Sequence, residues 1–564
     1  MAVVIDVETT GLDCRRDRLV AVGVAFGRDD PIVLRHPADR DLVQQALELD
    51  AIYIGHNIGF DMGFLQSNCY WTPHPSRWLD TILVAHVAGE RLPGRTRLES
   101  LQKQLVAAGE LPAEILEPEQ RIRAWLRKAR KAAKQTDARR PEKGDAPADI
   151  LDPYLSADVV STRAVARHWG RLLDGQQQVL VLEQRCLPAV FAAERRGVPL
   201  DLDAARELRD RTEASAGDLR ARCFELAGRA FNPNAALQIE RALVDRGADL
   251  TQVPRTPRAA MPMFTAATLA AIDDDLARAL LDYRGEKKLY DYVTGLWAHT
   301  HGDRLYGGYR QVGTETGRMS SGNPNLQNIP RSDLRIRYVI CAGEGRVLVG
   351  ADQDNVELRV LAAYAGPGRL RQAFAEGADL HQRTADSLGL GRDEAKTLNY
   401  SVTFGGGAPL IAGRLGCSIA EAENIRNGWF AQYPEVRRLR SRLWRKVQRD
   451  GFLTTIGGRR HHFPDGPNHM LLQRLVSGSA ADMFKAAAIE LHELHVPLVL
   501  LIHDEMVAEV DEDQAEDTGR LLEAALSRGM GQIRRLKADA SIHKRWSDFK
   551  QPGWTPDLGE EVNR

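Results

Sequence analysis

The chain of 564 residues is short of the features that mark several large protein classes. Its six cysteines (14, 69, 186, 223, 341 and 417) are scattered, with no pair at metal-ligand spacing. That excludes a disulfide scaffold and reads as free thiols in a reducing cytoplasm. No apolar run is long enough to span a bilayer; the longest, near 497–502, is broken by His503 and Asp504. The N-terminus MAVVIDVETTG lacks a basic leader and carries Asp6 within its apolar stretch, so it does not read as a signal peptide. No repeat of fixed period is visible. There is no excess of either charge: 76 Lys/Arg stand against 77 Asp/Glu, a formal net charge of −1. Taken whole, that balance argues against a nucleic-acid binder. What is present is ordinary globular composition, 43% hydrophobic and 27% charged, which excludes disorder as the main state. At roughly 150 residues per domain, the length suggests about three to four domains.

The distribution of charge is less neutral than its sum. Ten Lys/Arg and two acids lie between Arg121 and Lys143, and seven Lys/Arg and no acid between Arg437 and Arg449. Phosphate neutralisation is local, so clustering matters more than the total, although either run taken singly reads as a solvated helix face. Residues 3–7 and 19–26 look like paired strands, and helical patterns dominate from there to about 170. A long helix from about 176 ends at Arg196-Gly197-Val198-Pro199. Residues 203–300 are mostly helical, 346–352 and 498–510 read as buried strands, and 367–450 is nearly all helical. The expected layout is a small α/β unit followed by a larger α/β unit with a helical insertion.

Two constellations carry chemistry. In the first, Asp6 and Glu8 stand two apart on a predicted strand and share one face. Burying two such carboxylates unpaired is costly, and a divalent metal resolves the conflict. Asn57 and Asp61 in GHNIGFD, and Tyr154 and Asp158 in YLSAD, are each four apart and share a face if helical. Hard oxygen ligands suit Mg²⁺ or Mn²⁺, and two metals about 3.5–4 Å apart can hold the attacking and leaving oxygens of a phosphoryl displacement. VIDVETTG, HNxxxD and YxxxD in this order resemble the three motifs of the DEDD 3′–5′ exonucleases, in the subclass with Tyr in the third motif. The resemblance covers about 1–170. It implies Asp6, Glu8, Asp61 and Asp158 as metal ligands, Tyr154 as the residue orienting the attacking water, and a supporting role for Asp80.

In the second, VLVGADQDNVELRVLA (347–362) runs from a strand into a helix, with Asp352 at the strand end and Glu357 at the helix start. LLIHDEMVAEV (500–510) reads as a hairpin with His503, Asp504 and Glu505 at its turn, so Asp352 and Asp504 face each other across a sheet and share two Mg²⁺. In RDEAKTLNYSVTFGGG (392–407), Arg392, Lys396 and Tyr400 fall on one helical stripe suited to a triphosphate and a stacked base or sugar, and the glycines end the helix. With TETGRMSSGNPNLQNIP (314–330), DLHQRTA (379–385), TTIGGRR (454–460) and SGSAADMFK (477–485), the chain closely resembles family A DNA polymerases over essentially all of 180–545.

That resemblance implies an α/β multi-domain fold: an RNase H-like exonuclease domain (1–172) and a right-hand polymerase domain (173–564). The thumb would lie at about 200–300, the palm at 301–366 and 451–564, and the fingers at 367–450. It implies Asp352, Asp504 and the Gln353 carbonyl as metal ligands, with Glu505 secondary. Glu357 matches the steric gate against a ribose 2′-OH. His381, Arg392 and Lys396 match the triphosphate contacts, and Tyr400 and Phe404 the nucleotide-facing aromatics. Arg318, Gln327, Asn328, Gln473 and His503 match positions along the primer–template. Gln353, Asp354 and Asn355 depart from the usual Tyr-Ser-Gln. Tyr400 resembles some phage members and implies poor discrimination against dideoxynucleotides. The exonuclease motif starts at residue 3, leaving this chain no room for an N-terminal 5′ nuclease, and no large insertion interrupts 200–300. The expected activity is proofreading DNA synthesis, in a phage-type replication system, on primer–template DNA with dNTPs. The chain is expected to be monomeric and off the membrane, with helicase and single-strand binding protein as possible partners. The basic 437–449 segment reads as a DNA-backbone contact, and 121–143 as a contact for DNA or a partner. The competing reading is a 3′–5′ exonuclease whose polymerase half only binds DNA.

Overall fold

The computed structural model describes residues 1–89, 94–135, 138–256, 258–329 and 333–556. The first sheet has five strands, β1 (Ala2–Thr9), β2 (Leu19–Phe26), β3 (Ile32–Arg35), β4 (Ile52–Gly55) and β5 (Trp78–Asp80), in the order β3-β2-β1-β4-β5. The β-rich sequences VVIDV and VAVGVAF bury both faces of the two longest strands. β1 pairs antiparallel with β2 and parallel with β4, with Asp6 opposite Gly23 and Glu8 opposite Ala21. The three short strands β3 to β5 fall where the sequence pattern reads as helix. They have three or four residues each, too few for alternation to show.

Helices α1 (Ile58–Ser67), α2 (Thr81–Ala88), α3 (Leu98–Ala107), α4 (Glu117–Gln135) and α5 (Ala148–Arg171) pack around this sheet. Gly23 lets α5 approach, since a Cβ there would stand 2.7 Å from Val159 and 2.9 Å from Leu155. The basic run forms α4, with Ile122, Leu126 and Ala133 buried. Arg127, Lys128, Lys131 and Lys134 point to solvent, whereas Arg123 and Arg130 pair with Glu99, Glu119 and Glu142.

Helix α6 (Gln177–Arg196) leads into the second unit, where α7 (Leu202–Ala227) and α8 (Asp275–Ala298) form an antiparallel pair. The second sheet comprises β6 (Arg346–Gln353), β7 (Leu498–Ile502), β8 (Glu505–Asp511) and β9 (Ala538–His543) in the order β7-β8-β6-β9. Between β6 and β7 the chain is mainly helical, including α9 (Val356–Ala365), α10 (Leu380–Leu388), α11 (Arg392–Thr403), α12 (Pro434–Asp450) and α13 (Leu471–Glu493). One face of the sheet packs on α6 and α13, and the other on the bases of α7 and α8 and on Trp546.

A fully buried ionic group fastens these layers. Glu183 on α6 accepts from Arg459 Nη2 (2.5 Å) and Lys485 Nζ (2.6 Å), and Arg459 also bonds Asp482 at 2.8 Å. Lys485 continues to the Gly317 carbonyl at 2.7 Å, in the loop that carries Arg318. Two cations and two anions balance, which is the condition under which burial of charge is tolerated. The first unit seats on the second through His86 Nε2 to the Thr314 carbonyl (3.0 Å), Arg16 to the Ala298 and Thr300 carbonyls (2.8 and 2.9 Å), and Gln176 between Val87 and Arg460 (2.8 Å each). Among the described residues, no helix is long and apolar enough to cross a membrane.

Candidate active sites

The first site forms where β1 meets α5. Strand alternation puts Asp6 and Glu8 on one face, and the four-residue spacing puts Tyr154 and Asp158 on the helix face above it. Ligand oxygens of Asp6, Glu8 and Asp158 all lie within 4.8 Å of one another, the one such grouping of three among the described residues. Asp61 completes the group from α1. Its Oδ1 accepts from Val7 N at 3.1 Å, while its buried Oδ2 has no hydrogen-bond partner. An orphaned buried carboxylate oxygen beside three more carboxylates is a donor set that fits a hard divalent cation.

Electrostatics agree with the geometry. Burial, then Asp61, Asp158 and Glu8, push the Asp6 carboxyl well above the ordinary range. Burial raises Glu8 to about 8 and Asp158 to about 6, with Lys143 pulling both back. Burial also raises Asp61, helped by Asp80 and Glu8. Burial opposes the charge on Lys143, yet Glu8, Asp158, Glu119 and Asp6 together hold its pKa above the lysine norm.

Asn57 is not on a helical face with Asp61. It is the exposed N-cap of α1 in the left-handed region, φ 71°. Asp80 is a brace: its carboxylate accepts from Asn57 N and Ile58 N (3.1 Å each) and from Ile82 N (2.8 Å), capping α1 and α2 together. Two neighbours escape sequence reasoning. Gln102 donates to Asp158 Oδ1 at 3.1 Å from α3, and Lys143 donates to the Tyr154 hydroxyl. Gln102 comes from a segment without a motif, and Lys143 closes the basic 121–143 run, whose composition points to DNA or a partner and not to this carboxylate group. A cleft of about 1300 Å³ runs between the two units, lined by Asn57, Phe60, His86, Arg195, Tyr306 and Arg310.

The second site lies at the end of the second sheet. β6 pairs with β8 so that Asp352 is opposite Glu505, and Gln353 N donates to the Asp504 carbonyl at 3.1 Å. Asp352 and Asp504 thus flank one strand junction. Asp352 is 40% exposed, with Lys550 Nζ 3.7 Å from its Oδ2. The neighbouring acids serve the fold. Glu505, 7% exposed, accepts from Trp546 Nε1 at 2.9 Å and lies 3.9 Å from Arg337. Asp354 is held by Arg359 Nη2 (2.7 Å) and Asn355 Nδ2 (2.6 Å), which aligns it with the start of α9. The Gln353 side chain is buried and donates to the Leu526 carbonyl at 2.9 Å.

The stripe on α11 is formed. Arg392 opens the helix and pairs with Asp379 at 2.8 Å, Lys396 is exposed, and Tyr400 stacks on Phe404 with ring centroids 5.9 Å apart. Arg318 and the buried Glu357 form an ion pair with each other. His381 is buried, and both its ring nitrogens are engaged: Nε2 with Asn355 Oδ1 (3.1 Å) and Nδ1 with Asn399 Nδ2 (2.9 Å). The same Asn355 oxygen accepts from the Tyr400 hydroxyl at 3.3 Å.

Gln327 is buried beneath the β7–β8 turn. Its Nε2 donates to the Leu501 carbonyl (2.6 Å) and its Oε1 accepts from His503 N (3.0 Å), so the amide braces the β7–β8 turn. Asn328 and His503 are exposed, and Gln473 is half-buried on α13.

The profile of DNA polymerase family A matches residues 202–548. DNA polymerase I, thermostable, of Thermus aquaticus is 33% identical over 427 residues, covering 70% of this chain and 51% of that protein. DNA polymerase I of Deinococcus radiodurans is 29% identical over 550 residues, covering 84% of this chain and 57% of that protein. The chain therefore spans about half the length of the Thermus relative it matches. Among solved structures, the POL domain of Pol1 from M. smegmatis in complex with DNA primer-template and dNTP has the same fold, with TM-score 0.77 at 20% identity over 97% of this chain and 95% of that one.

Proposed function

This chain belongs to DNA polymerase family A, and from that premise we propose that it is a template-directed DNA polymerase with a 3′–5′ proofreading exonuclease. The observation that carries the reading is the presence of two separate carboxylate sites in one chain: Asp6, Glu8, Asp61 and Asp158 at the first sheet, Asp352 and Asp504 at the second. In this reading the first unit is the RNase H-like domain, and the second sheet, α7–α8 and α10–α12 are palm, thumb and fingers. Divalent cations, Mg²⁺ or Mn²⁺, supply Lewis-acid stabilisation of the phosphoryl group at each site when bound.

The chain's own residues do the rest. Arg392 and Lys396 receive the triphosphate, and Lys396 neutralises charge developing on the leaving pyrophosphate. Tyr400 and Phe404 carry the sugar and base, and Glu357 closes the space a 2′-OH would need. Arg318, paired with Glu357 here, exchanges that partner for the primer. Most of the rate enhancement is then positioning and charge stabilisation. A frayed primer end crosses the cleft to Asp6, Glu8 and Asp158 for hydrolysis, oriented by Tyr154. The basic face of α12 meets the DNA backbone. Tyr400 favours a phage-type replication enzyme.

The test is primer extension on a DNA template with Mg²⁺ and dNTPs. Wild type extends, Asp352→Ala only degrades, and Asp6→Ala extends without degrading. If no extension occurs even in Asp6→Ala, the second site does not polymerise, and the chain is a nuclease that uses a polymerase fold to hold DNA.

A further inference from the structure

The short turn before α5 carries a cation into the first site. The Lys143 ammonium donates to the Tyr154 hydroxyl. It lies 4.1 Å from the centre of that ring and 3.9 Å from Glu119 Oε2. This placement is built. Gly144 rests on the β1 backbone so closely that a Cβ would stand 2.4 Å from the Thr9 carbonyl oxygen. Glu142 N donates to Asp145 Oδ2 at 2.9 Å, Arg130 holds Glu142 at 2.6 Å, and Arg139 bonds the Thr10 carbonyl at 2.7 Å. Four contacts thus fix a turn whose one product at the site is the Lys143 ammonium beside Tyr154.

A phenol has one proton to give and accepts through its oxygen lone pairs, whereas an ammonium only donates. With Lys143 donating to the oxygen, the Tyr154 proton must point elsewhere, and the buried Asp158 carboxylate stands one turn on along the same face of α5. We propose that Lys143 is a positioning residue of the exonuclease centre: it fixes the rotation of the Tyr154 hydroxyl so that this group orients the attacking water between Tyr154 and Asp158. The proposal rests on the exonuclease reading above. A lysine cannot be a metal ligand while charged, so its role is separable from that of the four carboxylates. The competing role is that of a stand-in cation, which neutralises Glu8 and Asp158 until metal displaces it.

The experiment uses the full chain and a single-stranded DNA oligonucleotide, with Mg²⁺ titrated to saturation, and compares Lys143→Met, Lys143→Arg, Tyr154→Phe, the double variant Lys143→Met/Tyr154→Phe and Asp6→Ala. Misorientation of a reacting group costs about 100-fold, so Lys143→Met is expected to lower kcat by about that factor with KM and the Mg²⁺ midpoint within about threefold. Lys143→Arg recovers most of the loss. The double variant is no slower than Tyr154→Phe alone, because the two residues act as a unit. Thermal midpoints within a few degrees of wild type show that the variants are folded. Losses that multiply in the double variant overturn the proposal, as does an effect confined to the Mg²⁺ midpoint, which makes Lys143 a stand-in cation only. Full degradation by Asp6→Ala overturns the exonuclease reading itself, and the proposal with it.

Discussion

The two carboxylate sites of this chain are built on opposite plans. At the first sheet, three acids converge within 4.8 Å, a fourth has an orphaned buried oxygen, and the surroundings supply one cation and one amide. The site is assembled before any ligand arrives, and the cost is carried as raised carboxyl pKa values. At the second sheet Asp352 and Asp504 flank the junction, while Glu505 and Asp354 are committed to Trp546 and Arg359. Several side chains proposed to meet substrate are already engaged, Arg318 and Glu357 with each other and Arg392 with Asp379. In the proposed reading the first site hydrolyses any frayed end, and such a site gains from being ready. A site that must test a nucleotide against a template gains from being completed by the correct substrate.

Both plans stand on the buried group around Arg459, and the largest expected effect comes from removing it. Arg459→Met leaves the buried Glu183 and Asp482 with Lys485 as the one remaining cation of the group, which costs about 3–5 kcal/mol, read as the shift in denaturant midpoint. Glu183 adds a pH signature. Burial would raise its carboxyl, but Lys485 and Arg459 overcome this and hold it at about 2. Its folded pKa is depressed, so its stabilisation is complete above the ordinary glutamate range and is lost as pH falls toward 2. Wild type is expected to lose stability steeply across that window and Arg459→Met much less. Equal slopes would show that the group is not a common foundation.

Selective damage to the prebuilt site comes next. Gly144→Ala drives a methyl into the β1 backbone at Thr9 and displaces the turn that carries Lys143. A shift of that kind is expected to reduce degradation of single-stranded DNA by about 100-fold while extension of a matched primer stays within about twofold. Parallel losses in both assays would mean that the turn supports the whole chain.

The third effect is proton-linked metal binding. Glu8 at about 8 and Asp158 at about 6 must release protons to bind a cation. In the Asp352→Ala variant, where only the first site remains, Mn²⁺ affinity is expected to rise by up to about tenfold per pH unit for each proton released between pH 6 and 8. These carboxyls are raised in the folded chain, so metal-free protein also loses stability as pH rises through them. Calorimetry in buffers of different ionisation enthalpy counts the protons. An equally steep profile in Asp6→Ala, where only the second site remains, would erase the distinction between the plans.

The difference also explains what could be read from the chain beforehand. Strand alternation puts Asp6 and Glu8 on one face and helical spacing does the same for Tyr154 and Asp158, whereas Asp61, whose expected partner Asn57 is an N-cap off its face, joins the set through the resemblance of the three motifs. Gln102 and Lys143 are not legible as site residues, since Gln102 sits on a helix without a motif and the basic run ending at Lys143 gives no sign that its last residue turns back to Tyr154. The short strands β3 to β5 were lost for the same reason that any three- or four-residue element is: too few alternations. At the second site, the sequence gives no sign that Asp354 turns toward Arg359 or that Gln327 is spent on the β7–β8 turn, because both depend on long-range packing.

One contact at the second site is nonetheless preassembled, and it sets the smallest effect. Asn355 sits in the left-handed region at φ 50°, and its Oδ1 accepts from both His381 and the Tyr400 hydroxyl. Asn355→Gly keeps the backbone conformation accessible and removes only the amide. A hydrogen bond of this kind is worth about 0.5–1.5 kcal/mol net, a factor of about three to ten. If the held hydroxyl of Tyr400 is what lets a sugar without a 3′-OH be accepted, freeing it should raise the preference for dNTP over ddNTP, measured as the ratio of kcat/KM values, by that factor. An unchanged ratio would show that the bond to Asn355 does not govern the choice of sugar, and that this contact is not held in readiness for substrate.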